Sequence, residues 1–364
     1  MKKFDTINTF ESFLKSINET STVALYHDSD CDGTTAATLI IKGLKRVKDK
    51  DISYVFTHQG KRAFTPEIIK DLQNRGVTHL IVADLSMEND PLIDEILSFA
   101  KVLVIDHHPT TVDGNKEGLT VIKSQDLHPE QEMSAVCTAQ MAYELFSALT
   151  DMSDLDWLAA AGILADANFE HQREFVEGVF KKYSIDFRTP DPFNTYFAKV
   201  PKYIDFARCA DLNNIERIRS VLLEAKSFED AIENLKEFEP IAQEVTRAVK
   251  EYDVKKEDQG ILSFYHLVSP YEINSLCSTI ISFQKDPDHL IIVYKEKDGE
   301  THVSARFQKK TIDTGKLLRA CIQGFENANA GGHIPASGAG FPSKYWSEFK
   351  KRLIEQVDNE EFKV

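Results

Sequence analysis

The side chains best suited to chemistry in this sequence are carboxylates and imidazoles that follow buried apolar runs. Asp106, His107 and His108 come directly after the β-branched run 102–105, and Pro109 then prevents an ordinary continuation of the strand. Imidazole nitrogen and carboxylate oxygen together suit manganese, iron or zinc. The alternative is a solvated strand end with a chance pair of histidines, and this stretch alone leaves both interpretations open.

Other segment ends in the first half of the chain also carry aspartates. They are Asp28, Asp30 and Asp32 after the run 22–26, Asp84 after the run 79–83, and Asp166 after the apolar segment 154–165. Carboxylates at alternating positions repel one another unless a cation lies among them, so the first group favours a metal-binding turn over a solvated loop. Asp166 alone fits a helix-capping role as well as a site role.

The acidic segment 28–33 resembles the start of a calcium-binding EF-hand loop. The twelfth position of such a loop needs a bidentate glutamate, and here it is Leu39. The preceding segment is a predicted strand, whereas an EF-hand has a helix there. Calcium binding of this kind is therefore disfavoured.

The elements that carry these residues alternate between strand and helix. Strands are predicted at 22–26, 52–57, 79–84 and 102–105, and helices at 8–19, from 34 onward, and at 66–74, 90–99, 132–149 and 154–165. This alternation predicts an α/β fold with a doubly wound parallel sheet. Because ligands of such sheets bind at the carboxyl ends of the strands, Asp30, Asp32, Asp84 and His107 are expected to converge there.

The second half of the chain has a different pattern. Residues 170–255 are charged and helical, with a connecting helix predicted at 240–256, and a smaller α/β unit follows. Its strands are predicted at 261–265, 290–294 and 302–307, and its helices at 272–283, 313–325 and 343–357. The predicted division is a first domain at 1–195, a helical linker at 196–256 and a second domain at 257–364.

A glycine-rich stretch at 331–340 contains four of the sixteen glycines of the chain. Such a stretch lets backbone N–H groups approach an anion, although a simple hairpin would also explain it. His333 lies within the stretch, and Arg306 lies on a neighbouring predicted strand. Because the planar fork of arginine matches phosphate oxygens, a phosphate-binding corner is the favoured interpretation.

Composition limits the class of protein. The chain has 364 residues, 42% of them hydrophobic, and a net charge of −15, which argues against a grip on long duplex DNA. No apolar run approaches the roughly 20 residues that span a bilayer, and the amino terminus lacks an apolar signal region. Five cysteines without paired spacing suggest reduced thiols and a cytoplasmic protein.

Together these segments resemble the DHH phosphoesterase family with its companion DHHA1 domain. Asp106, His107 and His108 are the residues that name the family, and the segment 27–33 resembles its first motif in the form found in RecJ-like nucleases. The other matching motifs are Asp84 for the second, Asp166 for the fourth, and, for the companion domain, residues 304–306 and 331–333 with Ala336 and Gly338.

The resemblance implies a role for each matching residue. It implies two divalent ions, most often Mn²⁺ with Mg²⁺ as the other candidate, in the first domain. Asp30 with Asp28 would bind one ion, Asp84 would bridge both, and His108 would lie near the scissile phosphate. The remaining implied groups are Asp32, His107 and Asp166 on the second ion, and Arg306, Gly331, Gly332 and His333 on a substrate phosphate across a cleft between the domains.

Two positions depart from the family pattern. Some branches of the family begin the first motif with a histidine where this chain has Tyr26, which indicates the RecJ-like form. The glycine run before His333 is shortened, since Asn329 and Ala330 precede Gly331.

The implied activity is metal-dependent hydrolysis of phosphodiesters in single-stranded or short oligonucleotides, with mononucleotides as products. A phosphatase of small phosphorylated nucleotides or of polyphosphate would use the same metal centre. A non-catalytic replication scaffold is the alternative outside enzymes, and it predicts loss of metal ligands. A homodimer and partners from replication or repair are compatible with the resemblance, whereas a membrane is not expected.

Overall fold

The structure is a computed structural model that describes residues 3–58, 64–109, 114–132, 134–186 and 192–364. For Lys3, Phe4 and His333 it describes the backbone alone. The chain forms two compact units. The first contains Met1–Arg208 and Leu212–Glu237, and the second contains Cys209–Asp211 and Phe238–Val364.

The first unit is built on a parallel sheet flanked by helices. Its strands are β1 (Val23–His27), β2 (Tyr54–Thr57), β3 (His79–Ala83), β4 (Lys101–Asp106) and β5 (Leu119–Lys123). Its helices are α1 (Lys3–Ser16), α2 (Cys31–Lys48), α3 (Pro66–Asn74), α4 (Ile93–Leu97), α5 (Ser124–Leu127), α6 (Thr138–Ser147), α7 (Asp156–Ala165), α8 (Arg173–Lys182), α9 (Lys199–Ala210), α10 (Asn214–Glu224) and α11 (Phe228–Asn234).

The strand order is β2-β1-β3-β4-β5, with every pair parallel. The central strands β1 and β3 are buried along their whole length, as expected of apolar runs that are covered on both faces. The order reverses between β1 and β3, which is where doubly wound sheets open a crevice for ligands. The predicted fold of this unit is confirmed.

Several predicted limits differ from the structure. β5 was not predicted, because Thr120 and Lys123 interrupt its apolar pattern. Helix α2 begins at Cys31 and not at 34, because Asp30 accepts a hydrogen bond from the Gly33 backbone N–H at 2.9 Å and caps the helix there. Asp32 therefore lies in the first turn of a helix. The helix predicted at 132–149 is shorter and begins at Thr138.

The second unit contains a mixed sheet. Its strands are β6 (Glu257–Gln259), β7 (Leu262–His266), β8 (Leu290–Lys297), β9 (Glu300–Arg306), β10 (Asn329–His333) and β11 (Ala336–Pro342), in the order β10-β11-β9-β8-β7-β6. Only the β7–β8 pair is parallel within this order. Its helices are α12 (Glu239–Lys255), α13 (Asn274–Gln284), α14 (Thr314–Cys321) and α15 (Trp346–Gln356).

The glycine-rich stretch forms an antiparallel hairpin between β10 and β11, the simpler of the two structures considered for it. Gly332 has φ of 134°, and a Cβ atom there would lie 2.4 Å from the Ala336 carbonyl oxygen. Glycine is therefore required at this position for the two strands to approach each other.

Among the described residues, every helix is too short or too polar to cross a lipid bilayer.

Candidate metal centre

Three neighbouring strands of the first unit end side by side at the carboxyl edge of the sheet. His27 at the end of β1 pairs in register with Ala83 of β3, which pairs with Ile105 of β4. Asp28 and Asp84 continue this ladder, since their backbone N–H groups donate to Ala83 and Ile105 at 3.2 and 3.0 Å. The sheet thus places the residues that follow these strands at one point.

Asp84 lies at the centre of this point. Asp84 offers a carboxylate oxygen to each of two groups of possible metal ligands. One group contains His107 and His108, and the other contains Asp28 and Asp30. Within each group the ligand atoms lie within 4.8 Å of one another. Asp84 has φ of 62°, a left-handed conformation that Asp and Asn tolerate better than most residues. Such strain at a strand end is typical of functional sites.

His107 contacts aspartates on both sides of its ring. Its Nε2 atom lies 3.4 Å from Asp84 Oδ1 and 4.0 Å from Asp32 Oδ2, and its Nδ1 atom lies 3.6 Å from Asp166 Oδ2. The Nδ1 atom is buried and makes no hydrogen bond to any group within the described ranges. A buried imidazole nitrogen without a hydrogen bond, surrounded by carboxylates, fits a metal ligand.

Asp32 is oriented by the start of another helix. The backbone N–H groups of Thr138 and Ala139, at the amino end of α6, donate to its two carboxylate oxygens at 2.8 Å each. A helix amino terminus stabilises negative charge, so α6 holds Asp32 in one orientation. Each oxygen keeps a second lone pair for a cation.

Asp106 supports His108. It accepts a hydrogen bond from His108 Nδ1 at 2.7 Å and another from Lys123 Nζ at 2.5 Å. Lys123 is buried and also pairs with Glu88 at 2.8 Å. The His108 side chain is 48% exposed, so it can reach a bound molecule while Asp106 fixes its ring.

Asp166 follows the carboxyl end of α7. Asn168 Nδ2 donates to its Oδ2 atom at 2.5 Å, which orients the carboxylate beside His107. The structure thus brings Asp166 to the strand ends although it follows a helix and not a strand.

Burial and mutual repulsion raise the pKa values of these carboxyls. Burial, followed by the charges of Asp32 and Asp30, raises the pKa of Asp84 well above its ordinary value. The same causes raise the pKa of Asp166 to about 8. Burial also raises the pKa of Asp32. Carboxyls in this state ionise together only when cations balance them, which is what a metal centre provides.

In the second unit, Arg306 is surrounded by neutral hydrogen-bond acceptors, in contrast to the carboxylates of the first unit. Its guanidinium donates to Thr279 Oγ1 at 3.1 Å, Ser275 Oγ at 2.9 Å and the Ala305 carbonyl at 2.9 Å. All three acceptors are uncharged, and no carboxylate in the described part of the chain pairs with Arg306 within 4.0 Å. Burial lowers the pKa of Arg306.

The glycine positions assigned to substrate lie close to this arginine in the sheet. Ala336 pairs in register with Arg306, and Gly331 and Gly332 lie on the adjoining strand β10. The His333 side chain, also assigned to substrate, lies outside the described residues.

Sequence reasoning missed several supporting residues, most of which act over long sequence separations. Thr138 Oγ1 donates to Asp84 Oδ1 at 3.0 Å, and Asp205 accepts from the Cys31 backbone N–H at 3.0 Å. Lys123 and Asn168 complete the set, together with His27 and Arg219, whose side chains interact at 3.2 Å. Among them only Asn168 lies close in sequence to the residue that it orients, Asp166.

Comparisons with known proteins agree with this geometry. The carboxylate and imidazole cluster at the edge of the parallel sheet could hold a metal ion. Residues 22–166 match the N-terminal domain of the DHH family, and residues 258–360 match the DHHA1 domain. The chain therefore belongs to the DHH family of phosphoesterases and carries a DHHA1 domain.

Solved structures show the same two-domain fold. The chain is similar to the exonuclease RecJ bound to manganese, with a TM-score of 0.68 and 15% identity over 97% of this chain and 94% of that chain. It is similar to RecJ from Thermus thermophilus in complex with Mn²⁺, with a TM-score of 0.66 and 15% identity. That match covers 99% of this chain but 55% of the longer RecJ chain.

A third structure belongs to a smaller enzyme. The chain is similar to the pGpG-specific phosphodiesterase PggH from Vibrio cholerae, with a TM-score of 0.52 and 14% identity over 93% of this chain and 99% of that chain. At these identities the likeness concerns the fold. No protein with a curated description matches the sequence.

Proposed function

We propose that this protein is a phosphodiesterase that uses divalent metal ions to remove mononucleotides from single-stranded or short oligonucleotides. One observation carries the proposal: Asp84 belongs to two groups of ligand atoms, as a carboxylate shared by two ions would. Asp28 and Asp30 complete one group, and His107 and His108 complete the other. Asp32 and Asp166 lie close to His107.

Mn²⁺ is the proposed ion, with Mg²⁺ as the second candidate. The donor set of carboxylates with one or two imidazoles suits Mn²⁺, and structures of RecJ contain Mn²⁺ or Mg²⁺. When bound, such ions activate water and stabilise the charge that develops on a phosphoryl group.

The side chains of this protein have their own tasks around the reacting phosphate. His108 is exposed enough to contact the substrate, and Asp106 and Lys123 hold its ring in one orientation. The hydrogen bond to Asp106 raises the pKa of His108, so the ring can donate a proton to a phosphate or leaving oxygen.

Arg306 is the proposed phosphate-binding group of the second unit. Its hydrogen bonds to Ser275 and Thr279 fix the guanidinium without neutralising it. A desolvated cation held only by neutral groups is costly to bury, and a substrate phosphate would offset that cost. Gly331, Gly332 and His333 are proposed to line the same corner.

The test is incubation of the purified protein with Mn²⁺ and end-labelled RNA and DNA, from dinucleotides to long single strands. The proposal expects a ladder of mononucleotide removal that disappears when Mn²⁺ is chelated. The position of the label and the sugar that is cleaved define polarity and preference. No cleavage of any oligomer in the presence of Mn²⁺ would contradict the proposal.

A second candidate is a phosphatase or phosphodiesterase of small phosphorylated nucleotides. The fold likeness to a pGpG-specific enzyme and the net charge of −15 favour it. It predicts turnover of linear dinucleotides, or of nucleotides with two phosphates, and no turnover of longer strands. A non-catalytic scaffold is disfavoured, because the carboxylates and His107 of the cluster are all retained.

A further inference from the structure

A chain of buried amide side chains joins α6 to the segment that precedes α8. Gln140, in the first turn of α6, is 3% exposed, and Gln172, directly before α8, is 7% exposed. Gln140 Nε2 donates to Gln172 Oε1 at 2.9 Å. Gln172 Nε2 donates in turn to the Ala135 carbonyl oxygen at 3.0 Å and to Gln131 Oε1 at 2.5 Å. The two segments are thus fastened together through the Gln172 side chain.

Their acceptors fix the orientation of both amide groups. Because the Ala135 carbonyl can only accept, Gln172 presents its NH₂ group there and its oxygen to Gln140. The NH₂ group of Gln140 also donates to Glu144 Oε1 at 3.0 Å. Its own oxygen is buried and accepts no hydrogen bond within the described part of the chain. A buried network with an unsatisfied acceptor contributes poorly to stability, so stability alone does not explain this pair.

The α6 end of the amide chain adjoins the groups that orient two proposed metal ligands. The backbone N–H groups of Thr138 and Ala139, directly before Gln140, donate to the Asp32 carboxylate at 2.8 Å each. Thr138 Oγ1 donates to Asp84 at 3.0 Å. A shift of the first turn of α6 would therefore move both carboxylates.

The Gln172 end holds a strained turn that carries Asp166. Ala167 has φ of 56°, in the left-handed region that residues other than glycine, asparagine and aspartate seldom adopt. Asn168 donates through Nδ2 to Asp166 at 2.5 Å, and its carbonyl oxygen accepts from the Gln172 backbone N–H at 3.0 Å. A strained conformation persists only where the surrounding structure holds it. The Gln172 side chain contributes this hold by tying the turn to α6.

We propose that Gln172, together with Gln140, is a positioning residue of the metal centre that fixes Asp166 relative to Asp32. The inference rests on the proposed function, in which both carboxylates bind the same ion. Each lies within 4.0 Å of a nitrogen of His107. Asp32 lies in the first turn of α2 and Asp166 follows α7, so their spacing depends on contacts between elements. The amide pair is such a contact.

The test is calorimetric titration of the metal-free full chain with Mn²⁺ in the absence of substrate. Gln172→Met keeps the length of the side chain and removes its hydrogen bonds. The ion assigned to Asp32 and Asp166 is expected to bind about tenfold more weakly, the scale for loss of a group that orients a metal ligand. The ion assigned to Asp28 and Asp30 is expected to bind as before. General loosening of the fold would weaken both ions.

A double variant separates the hydrogen bonds from stability. Replacing both partners of a buried hydrogen bond by apolar groups of similar shape is nearly neutral for stability. In the variant that combines Gln140→Met with Gln172→Met, the melting temperature in EDTA is therefore expected to recover towards that of the unmodified protein. The Mn²⁺ affinity is expected to stay about tenfold lower. Recovery of the Mn²⁺ affinity would overturn the proposal, because packing alone would then position Asp166.

Tyr183→Phe is the matched control. Tyr183 Oη donates to Asp156 Oδ1 at 2.9 Å and ties the carboxyl end of α8 to the start of α7. The variant thus removes a hydrogen bond between the same two helices, at the end of α7 that is remote from Asp166. It is expected to lower the melting temperature and to leave the affinity for both ions unchanged.

The remaining outcomes distinguish this inference from the proposed function. Unchanged Mn²⁺ affinity in a folded Gln172→Met protein would overturn the positioning role and leave the metal centre in place. Absence of Mn²⁺ binding by the unmodified protein would overturn the metal centre, and this inference with it.

Discussion

The two units of the protein carry opposite imbalances of charge. In the first unit, buried carboxylates around Asp84 outnumber the cations near them, and their pKa values are raised as a result. In the second unit, Arg306 is half-buried among hydroxyl and carbonyl groups without a carboxylate in the described residues. One region therefore fits a bound cation and the other a bound anion.

The second unit also contains a buried aspartate, Asp286, whose charge is balanced by neighbouring side chains. It shows how a structural network differs from the two unbalanced regions. Asp286 accepts from Tyr252 Oη at 2.6 Å, from Lys256 Nζ at 2.8 Å and from His289 Nδ1 at 2.5 Å. These partners lower its pKa to about 2, opposing the effect of burial. Charges that find their partners within the fold stabilise it, whereas unmatched charges indicate a ligand.

The largest expected effect follows from removing the shared ligand. Asp84→Asn keeps the shape of the side chain and tolerates the left-handed backbone, but it removes the charge that both ligand groups use. Activity with Mn²⁺ is expected to fall more than about 100-fold, beyond the 10–100-fold cost of losing a supporting residue of a metal site. Steady-state rates at saturating Mn²⁺ provide the measurement.

Asp49→Asn is the matched control for this variant. Asp49 also has a left-handed conformation, with φ of 47°, but it lies exposed at the end of α2 and pairs with Lys45. The activity of the Asp49→Asn variant is expected to match that of the unmodified protein. Retention of most activity by Asp84→Asn would contradict a centre in which Asp84 is shared.

A smaller effect is expected from the hydroxyl that orients Asp84. Thr138→Val removes the hydrogen bond of 3.0 Å to Asp84 while leaving the Thr138 backbone N–H on Asp32. The affinity for Mn²⁺ is expected to fall about 10-fold or more, with activity recovered at high Mn²⁺. Titration of activity against Mn²⁺ concentration measures this shift.

Thr38→Val provides the comparison, because Thr38 is buried in α2 and its hydroxyl donates to the Thr34 carbonyl. This variant is expected to change stability but not Mn²⁺ affinity. If Thr138→Val and Thr38→Val lost Mn²⁺ affinity equally, the loss would result from altered packing and not from the hydrogen bond to Asp84.

The arginine of the second unit is expected to act on binding. Arg306→Gln should raise KM about 10-fold, which corresponds to about 1.4 kcal/mol, and should lower kcat much less, because the guanidinium is proposed to contact substrate and not the reacting atoms. Kinetics on a short oligonucleotide measure the two constants, with the exposed Arg319→Gln as control. A fall in kcat alone would indicate that Arg306 acts in the chemical step and not in substrate binding.

The smallest expected effect concerns the stability of the metal-free first unit. A carboxyl whose pKa is higher in the folded than in the unfolded state destabilises the fold at high pH, and this penalty is lost as the pH falls through the folded pKa. The pKa of Asp166 is about 8 against an ordinary value of 3.8, so the metal-free protein should become more stable between these values as the pH falls.

Melting in EDTA is therefore expected to occur about 2–4 °C higher at mildly acidic than at mildly alkaline pH, the shift that about 1 kcal/mol produces in a domain of this size. Mn²⁺ should stabilise the protein most at the alkaline end. In the Asp84→Asn variant, both the change of melting temperature with pH and the stabilisation by Mn²⁺ should be smaller. A metal-free protein that melts at the same temperature across this range would show that the cluster is not strained.

Much of the fold could be predicted because buried parallel strands have nearly continuous apolar sequences. The apolar runs of β1, β3 and β4 are visible in the sequence, and their ends locate Asp28, Asp84 and His107. β5 was missed because Lys123, at its end, is a residue type that is usually exposed to solvent. It is buried only because Asp106 and Glu88 neutralise it, which no local pattern records.

The supporting contacts of the site could not be predicted for a related reason. Thr138 reaches Asp84 and Arg219 reaches His27 across 54 and 192 positions of the chain. Hydrophobic periodicity describes neighbours within an element, and it carries no information about polar contacts between elements so distant in sequence. Chemistry at the strand ends was therefore visible, whereas the groups that orient it were not.

The hydrogen bonds between α6 and Asp32 have a consequence for the order of folding. They join residues 106 positions apart, so the carboxylate of Asp32 is expected to reach its final orientation only after α6 has packed against it. During synthesis, residues 28–32 leave the ribosome long before α6, and the loop cannot yet hold its carboxylates in position. Capacity for the ion is therefore expected only after α6 has formed.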